Sequence, residues 1–134
     1  MLEYSEIALR LVFAVVAGGL IGLEREVVHK PAGVRTHMLV CLGAALFIIV
    51  TLDSIPQEAA RIIAGVATGV GFLGAGTIFK AKSDVHGLTT AASIWAVAAV
   101  GIAIGLGYYV TMLIAIFLIL AILQLNKLEF FRNL

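Results

Sequence analysis

Apolar residues run along this chain in five long stretches, broken by short polar ones. The stretches are Ile7–Leu23, Thr36–Leu52, Ala60–Phe79, Gly87–Gly105 and Tyr108–Leu125. A helix crosses the hydrocarbon core of a bilayer with about 20 mostly apolar residues, each rising about 1.5 Å. Every stretch is close to that length. The runs are continuously apolar rather than alternating, which argues against barrel strands. The separators are Glu24–Arg35, Asp53–Glu58, Lys80–His86 and a minimal turn at Leu106–Gly107. None has room for a soluble domain. The pattern therefore predicts an all-α, polytopic membrane helix bundle of five transmembrane helices, a single domain over residues 1–134.

Composition sharpens this reading. Of 134 residues, 62% are hydrophobic and 13% charged, where a soluble domain carries roughly 45–50% and about 25%. That balance excludes a soluble enzyme and a disordered chain alike. The net charge of +1 argues against a nucleic-acid partner, because no basic excess remains to neutralise phosphates along a backbone. A single cysteine, Cys41, excludes an internal disulfide and a multi-cysteine zinc site.

The charges also orient the chain. The leading residues Met1–Glu6 are acidic, whereas a signal peptide begins with positive charge. The first stretch is thus expected to be an uncleaved helix with its N-terminus outside. Arg25, Lys30, Arg35, Lys80, Lys82, Lys127 and Arg132 then fall inside, and only Arg10 and Arg61 outside. An excess of Lys and Arg marks cytoplasmic loops, so the C-terminus is placed inside.

Membrane helices associate through small residues. GxxxG spacing occurs at Gly18/Gly22, Gly65/Gly69 and Gly101/Gly105. Wound at about 100° per residue, the third stretch places Ile62, Ile63, Val66, Val70, Leu73 and Thr77 on one arc. Gly65, Gly69, Gly71, Gly74 and Gly76 lie on the rest, so this helix is expected at the centre of the bundle. Gly69–Gly74 also matches G-x-G-x-x-G, but a nucleotide site needs that pattern between a strand and a helix. Packing is the better reading. Trp95 lies too deep for a headgroup belt and is expected to be buried with its N–H bonded.

Three polar clusters need partners. Glu24 and Arg25 end the first helix, while Arg35, Thr36 and His37 open the second, so one hairpin brings them together. Glu24 is expected to pair with Arg35 and Thr36 to cap the second helix, unless these residues are ordinary interfacial anchors. Asp53, Glu58 and Arg61 form an outer cluster, with Arg61 turned inward. Structural pairing is the simpler reading there, and a divalent cation on two carboxylates the sharper one. Thr89, Thr90 and Ser93 line the fourth helix, which Ser83 or Asp84 is expected to cap. Their hydroxyls either bond back to helix carbonyls or make a polar pathway.

Catalysis finds no support. His29, His37 and His86 are spread over two loops, without the tight spacing of a zinc site. Nucleophilic triads, HExxH and Walker motifs are absent from the sequence. Cys41 reads as a small buried hydrophobe. The chain is expected not to be an enzyme and to need no cofactor or metal.

The runs Gly22-Leu-Glu-Arg-Glu26, Ala32-Gly-Val-Arg-Thr-His37, Gly71-Phe-Leu-Gly-Ala-Gly76 and Gly87-Leu-Thr-Thr-Ala-Ala-Ser93 resemble the signature of the MgtC/SapB family. The resemblance spans nearly all five stretches. It implies a bacterial or archaeal plasma-membrane protein linked to magnesium homeostasis, regulating the F-type ATP synthase or a magnesium pump. The family's polar motif positions fall at Glu24, Arg25, Arg35, Thr36, Asp53, Arg61, Thr89, Thr90 and Ser93. A longer family form carries a C-terminal soluble domain; this chain is expected to correspond to the transmembrane domain alone. Two functions follow: a regulator that docks on another membrane complex, or a transporter or channel for magnesium or another ion. Lipids, a second copy of the chain and a membrane-protein partner are the expected associates.

Overall fold

The computed structural model describes residues 1–128; Arg132, counted above on the inner side, lies outside them. Five α-helices follow in order: α1 Tyr4–Val27, α2 Val34–Ser54, α3 Ala59–Ala75, α4 Leu88–Gly105 and α5 Tyr109–Gln124. A 3-10 turn, Pro56–Glu58, leads into α3, and another, Leu125–Lys127, follows α5. The α1, α2 and α4 helices, and α3 with its leading turn, are long and apolar enough to cross a membrane; α5 is apolar but has 16 residues.

The centre is α2, with α1 and α4 against it. Two of the three GxxxG pairs explain why. A Cβ on Gly18 would lie 2.5 Å from the His37 carbonyl oxygen, and one on Gly22 would lie 2.7 Å from the Val34 Cα. On the other partner, a Cβ on Gly105 would lie 2.7 Å from the Ile48 Cβ, and one on Gly101 would collide with the Cys41 carbonyl. Backbones meet where side chains would otherwise hold them apart. Ala14, Ala17, Ile21, Cys41, Ala45, Val97, Val100 and Ile104 fill the space around these crossings. Cys41 is fully buried, as its apolar setting predicts.

The third helix departs from expectation. It lies at the edge of the bundle, and Gly74 is its sole buried residue. Added Cβ atoms at Gly65, Gly69 and Gly71 would meet nothing within 4 Å, whereas Gly74 sits against Ala91 of α4. Gly76 meets only carbonyls of its own helix. Small residues permit close approach but do not summon a neighbour: α3 touches α4 chiefly and leaves an open groove toward α2, whose close crossings are made by α1 and α4. Trp95 is likewise 54% exposed rather than buried, because α4 turns Ile94, Val97 and Ala98 to the core instead.

The apolar run predicted to reach Phe79 ends four residues earlier. Phe79–Ala81 and Asp84–His86 pair as a short antiparallel hairpin, Phe79 opposite His86. Ser83 and Asp84 are therefore spent in the hairpin and do not cap α4; that position belongs to Gly87, at φ 89°.

Candidate functional site

At the lysine-rich end of the bundle, the last turn of α1 and the first turns of α2 and α4 carry the polar residues. Helix α1 stops in a Schellman motif. The Lys30 N–H donates to the Arg25 carbonyl and the His29 N–H to that of Glu26. His29 takes the left-handed position, φ 56°, usually given to glycine. Pro31 follows and prevents the helix from resuming.

Helix α2 then opens at Gly33. Glu26, not Thr36, caps it: the Glu26 Oε2 accepts the Val34 N–H at 2.8 Å. A Cβ on Gly33 would lie 2.5 Å from that same oxygen, so a larger residue there would push the carboxylate aside. A carboxylate here also meets the positive end of the helix dipole.

His37 is fully buried and joins two helices. Its Nδ1 lies 2.9 Å from the Gly33 carbonyl and its Nε2 3.0 Å from the Ser93 Oγ. A carbonyl can only accept, so Nδ1 carries the proton. In a neutral ring Nε2 must then accept the Ser93 hydroxyl. Ser93 also lies 2.8 Å from the Thr90 carbonyl. Its one proton thus has two acceptors within reach, and doubly protonated His37 would release it to the carbonyl.

Beside this, the predicted Glu24–Arg35 pair is replaced. Glu24 pairs with its neighbour Arg25, Oε2 to Nε at 2.5 Å, with both side chains about nine-tenths or more buried. Arg35 is exposed and makes no ion pair among the described residues. The reason is rotational: Arg25 follows Ile21 and Gly22 onto the buried face of α1, while Arg35 opens α2 on its outer side. The Glu24 Oε1 is enclosed and has no hydrogen-bond partner among the described residues. Thr90 and Ser93 are buried, three residues apart on the inner face of α4; Thr89 is exposed.

The outer cluster does not converge. Arg61 points outward, its side chain 83% exposed, and pairs with Glu58 at 3.1 Å. Asp53 instead accepts the Leu2 N–H at 3.0 Å, tying the N-terminus to the end of α2. The pairing of Glu58 with Arg61 agrees with expectation; the expected inward turn of Arg61 does not occur, since the face of α3 that it shares is open.

A second buried constellation at that end escaped the sequence reading. Arg10 Nε lies 2.7 Å from the Glu6 Oε1, and its Nη1 donates to the Gly105 carbonyl at 2.7 Å. The Tyr109 hydroxyl donates to the same Glu6 oxygen at 2.5 Å. The guanidinium thus sits at the C-terminus of α4, where a cation is favoured, and links α1, α4 and α5. An arginine within the first apolar stretch was the available signal, because a charge there needs a partner.

These features define an all-α membrane helix bundle whose two ends are tied by separate polar sets. The sequence profile of the MgtC family matches residues 11–130, and the chain belongs to that family. It is 46% identical over 114 residues to YhiD of Escherichia coli K12, a candidate magnesium transporter by name, covering 78% of this chain and 53% of that protein. It is 43% identical over 112 residues to protein MgtC of Salmonella typhimurium LT2, covering 84% and 48%. To protein MgtC of Brucella abortus it is 49% identical over 98 residues, covering 70% and 40%. The chain spans about half the length of the curated relatives it matches. No solved structure matches. It is a membrane protein of a family whose names tie it to magnesium.

Proposed function

We propose that this protein is a non-enzymatic regulator in magnesium homeostasis, multi-pass in the inner membrane, with its lysine-rich end in the cytoplasm. It docks on another membrane complex, of F-type ATP synthase or magnesium-pump kind, and pairs with a second copy of itself. The observation that carries this reading is the open face of α3. On that face Gly65 and Gly69 meet nothing within 4 Å among the described residues, although equivalent glycines on α1 and α4 are fully used. Such a face suits a helix from another chain, and closed symmetric dimers are the commonest oligomers.

The test is disulfide crosslinking in membranes of a Gly69→Cys chain lacking Cys41. A homodimer band, or a band with a partner subunit, is expected, together with loss of low-magnesium growth support in Gly69→Leu. Monomer throughout, with full growth support, would overturn the reading. One observation favours a second reading, ion transport: the enclosed, unpartnered Oε1 of Glu24. Magnesium flux into proteoliposomes holding this chain alone, abolished by Glu24→Gln, would select it.

A further inference from the structure

We propose that the cleft between the start of α4, the turn after α1 and the β-hairpin binds a phosphate group. The cleft has a volume of about 440 Å³ and is lined by His29, Lys30, His86, Thr89 and Thr90, with Gly87 at its edge. This inference is independent of the regulatory reading above.

The donors come first from the helix. No side chain caps α4 among the described residues, and its first backbone bond runs from the Ala91 N–H to the Gly87 carbonyl. The N–H groups of Leu88, Thr89 and Thr90 therefore have no acceptor within the helix. Helix α4 is 18 residues long, so its dipole adds a positive end at the same place. Gly87 permits this exposure: its backbone packs on the Thr77 carbonyl, where a Cβ would collide.

A second and separate observation is Thr90. It is 2% exposed and lines the cleft. Its hydroxyl makes no hydrogen bond among the described residues. It is also not among their enclosed polar atoms without a partner, a description that fits only the Glu24 Oε1. The Thr90 hydroxyl thus keeps access to the cleft that the residue lines and has no partner among the described residues.

Charge points the same way. The Schellman turn delivers Lys30 to the cleft, where it makes no ion pair among the described residues, and the rings of His29 and His86 flank it. No carboxylate lines the cleft among the described residues. The nearby Glu26 is occupied at the start of α2. Helix N–H groups, a hydroxyl and an ammonium are the donor set of an oxyanion with several oxygens, and without carboxylates a cation has nothing to bind. The volume leaves room for a substituent on the phosphate. The cleft lies at the end of the apolar helix α4, where a membrane span would meet the headgroups, so a lipid headgroup and a free phosphate are both candidate sources.

The experiment uses the whole chain in a phosphate-free maltoside detergent. One arm follows thermal unfolding against inorganic phosphate, with chloride at matched ionic strength as control. The other counts phosphatidylglycerol retained in native mass spectra. Lys30→Gln and Thr90→Val are expected to weaken the protective ligand about tenfold, Thr90→Ser to retain it, and Lys82→Gln to leave it unchanged. Protection by phosphate alone assigns a soluble phosphate, retention of the lipid alone assigns a headgroup, and both together show that the site accepts either. If neither ligand binds, or if Lys82→Gln weakens binding as much as Lys30→Gln, the proposal fails. Should Thr90→Val not fold, the exposed Lys30→Gln still decides between these outcomes.

Discussion

The Nε2 of His37 and the Oγ of Ser93, 56 positions apart, lie 3.0 Å from each other inside the bundle. Neither residue can turn to water, because both are buried. The contact ties the start of α2 to the first turns of α4 close to the crossing set by Gly101. Removing the hydroxyl leaves a buried ring nitrogen unsatisfied, which costs about 1–3 kcal/mol. Ser93→Ala is expected to lower stability by that amount in detergent unfolding. His37→Leu should cost a similar amount, and the double variant less than the two together, by a coupling of about 0.5 kcal/mol or more. Strict additivity would show that the two side chains do not interact.

Arg25 and Arg35 should behave oppositely. Arg25 is 4% exposed and neutralises Glu24, so Arg25→Ala strands a buried carboxylate at a cost of about 3–5 kcal/mol. Arg35 is exposed, and Arg35→Ala should change stability by no more than about 0.5 kcal/mol. Yields of folded protein and unfolding midpoints of the two variants check this directly. Equal damage from both would mean that Arg35 holds a structural partner after all.

The three GxxxG pairs give an internal comparison. Gly101→Leu must separate α2 from α4 and is expected to abolish folding or to cost at least about 3 kcal/mol. Gly69→Leu meets open space in this chain and should leave monomer stability within about 0.5 kcal/mol. Its effect belongs to association with other chains. Measuring unfolding at high dilution, apart from crosslinking yield, separates the two.

His29→Gly should stabilise the protein. A non-glycine residue at φ 56° carries a steric cost of about 1 kcal/mol that glycine escapes. Greater freedom of glycine in the unfolded chain offsets part of it, so a net gain of about 0.5 kcal/mol is expected. By contrast, Gly107→Ala should lose about 1 kcal/mol or more, since Gly107 holds φ 81° at the matching position after α4, with the Arg10 guanidinium close against it. Paired thermal unfolding of the two variants tests the signs.

The sequence by itself determined the helices and their number, together with the spacing that lets helices touch. Those are properties of each segment facing its solvent: a bilayer admits a backbone only when its hydrogen bonds are closed within the helix, so an apolar run of sufficient length is a helix. The ends proved less legible where glycine and a hairpin, rather than hydropathy, stopped the run, as after Ala75. Partners were decided only in three dimensions. A helix in lipid is apolar on every side, so polarity does not record its rotation about its own axis, and that rotation is what turned Arg25 inward in place of Arg35. It also turned Trp95 outward, and it set Ser93 against His37. Gly65 and Gly69 have the same spacing as Gly101 and Gly105, yet only the second pair meets another helix among the described residues, because α4 turns its pair onto α2 while α3 meets α4 through Gly74 instead.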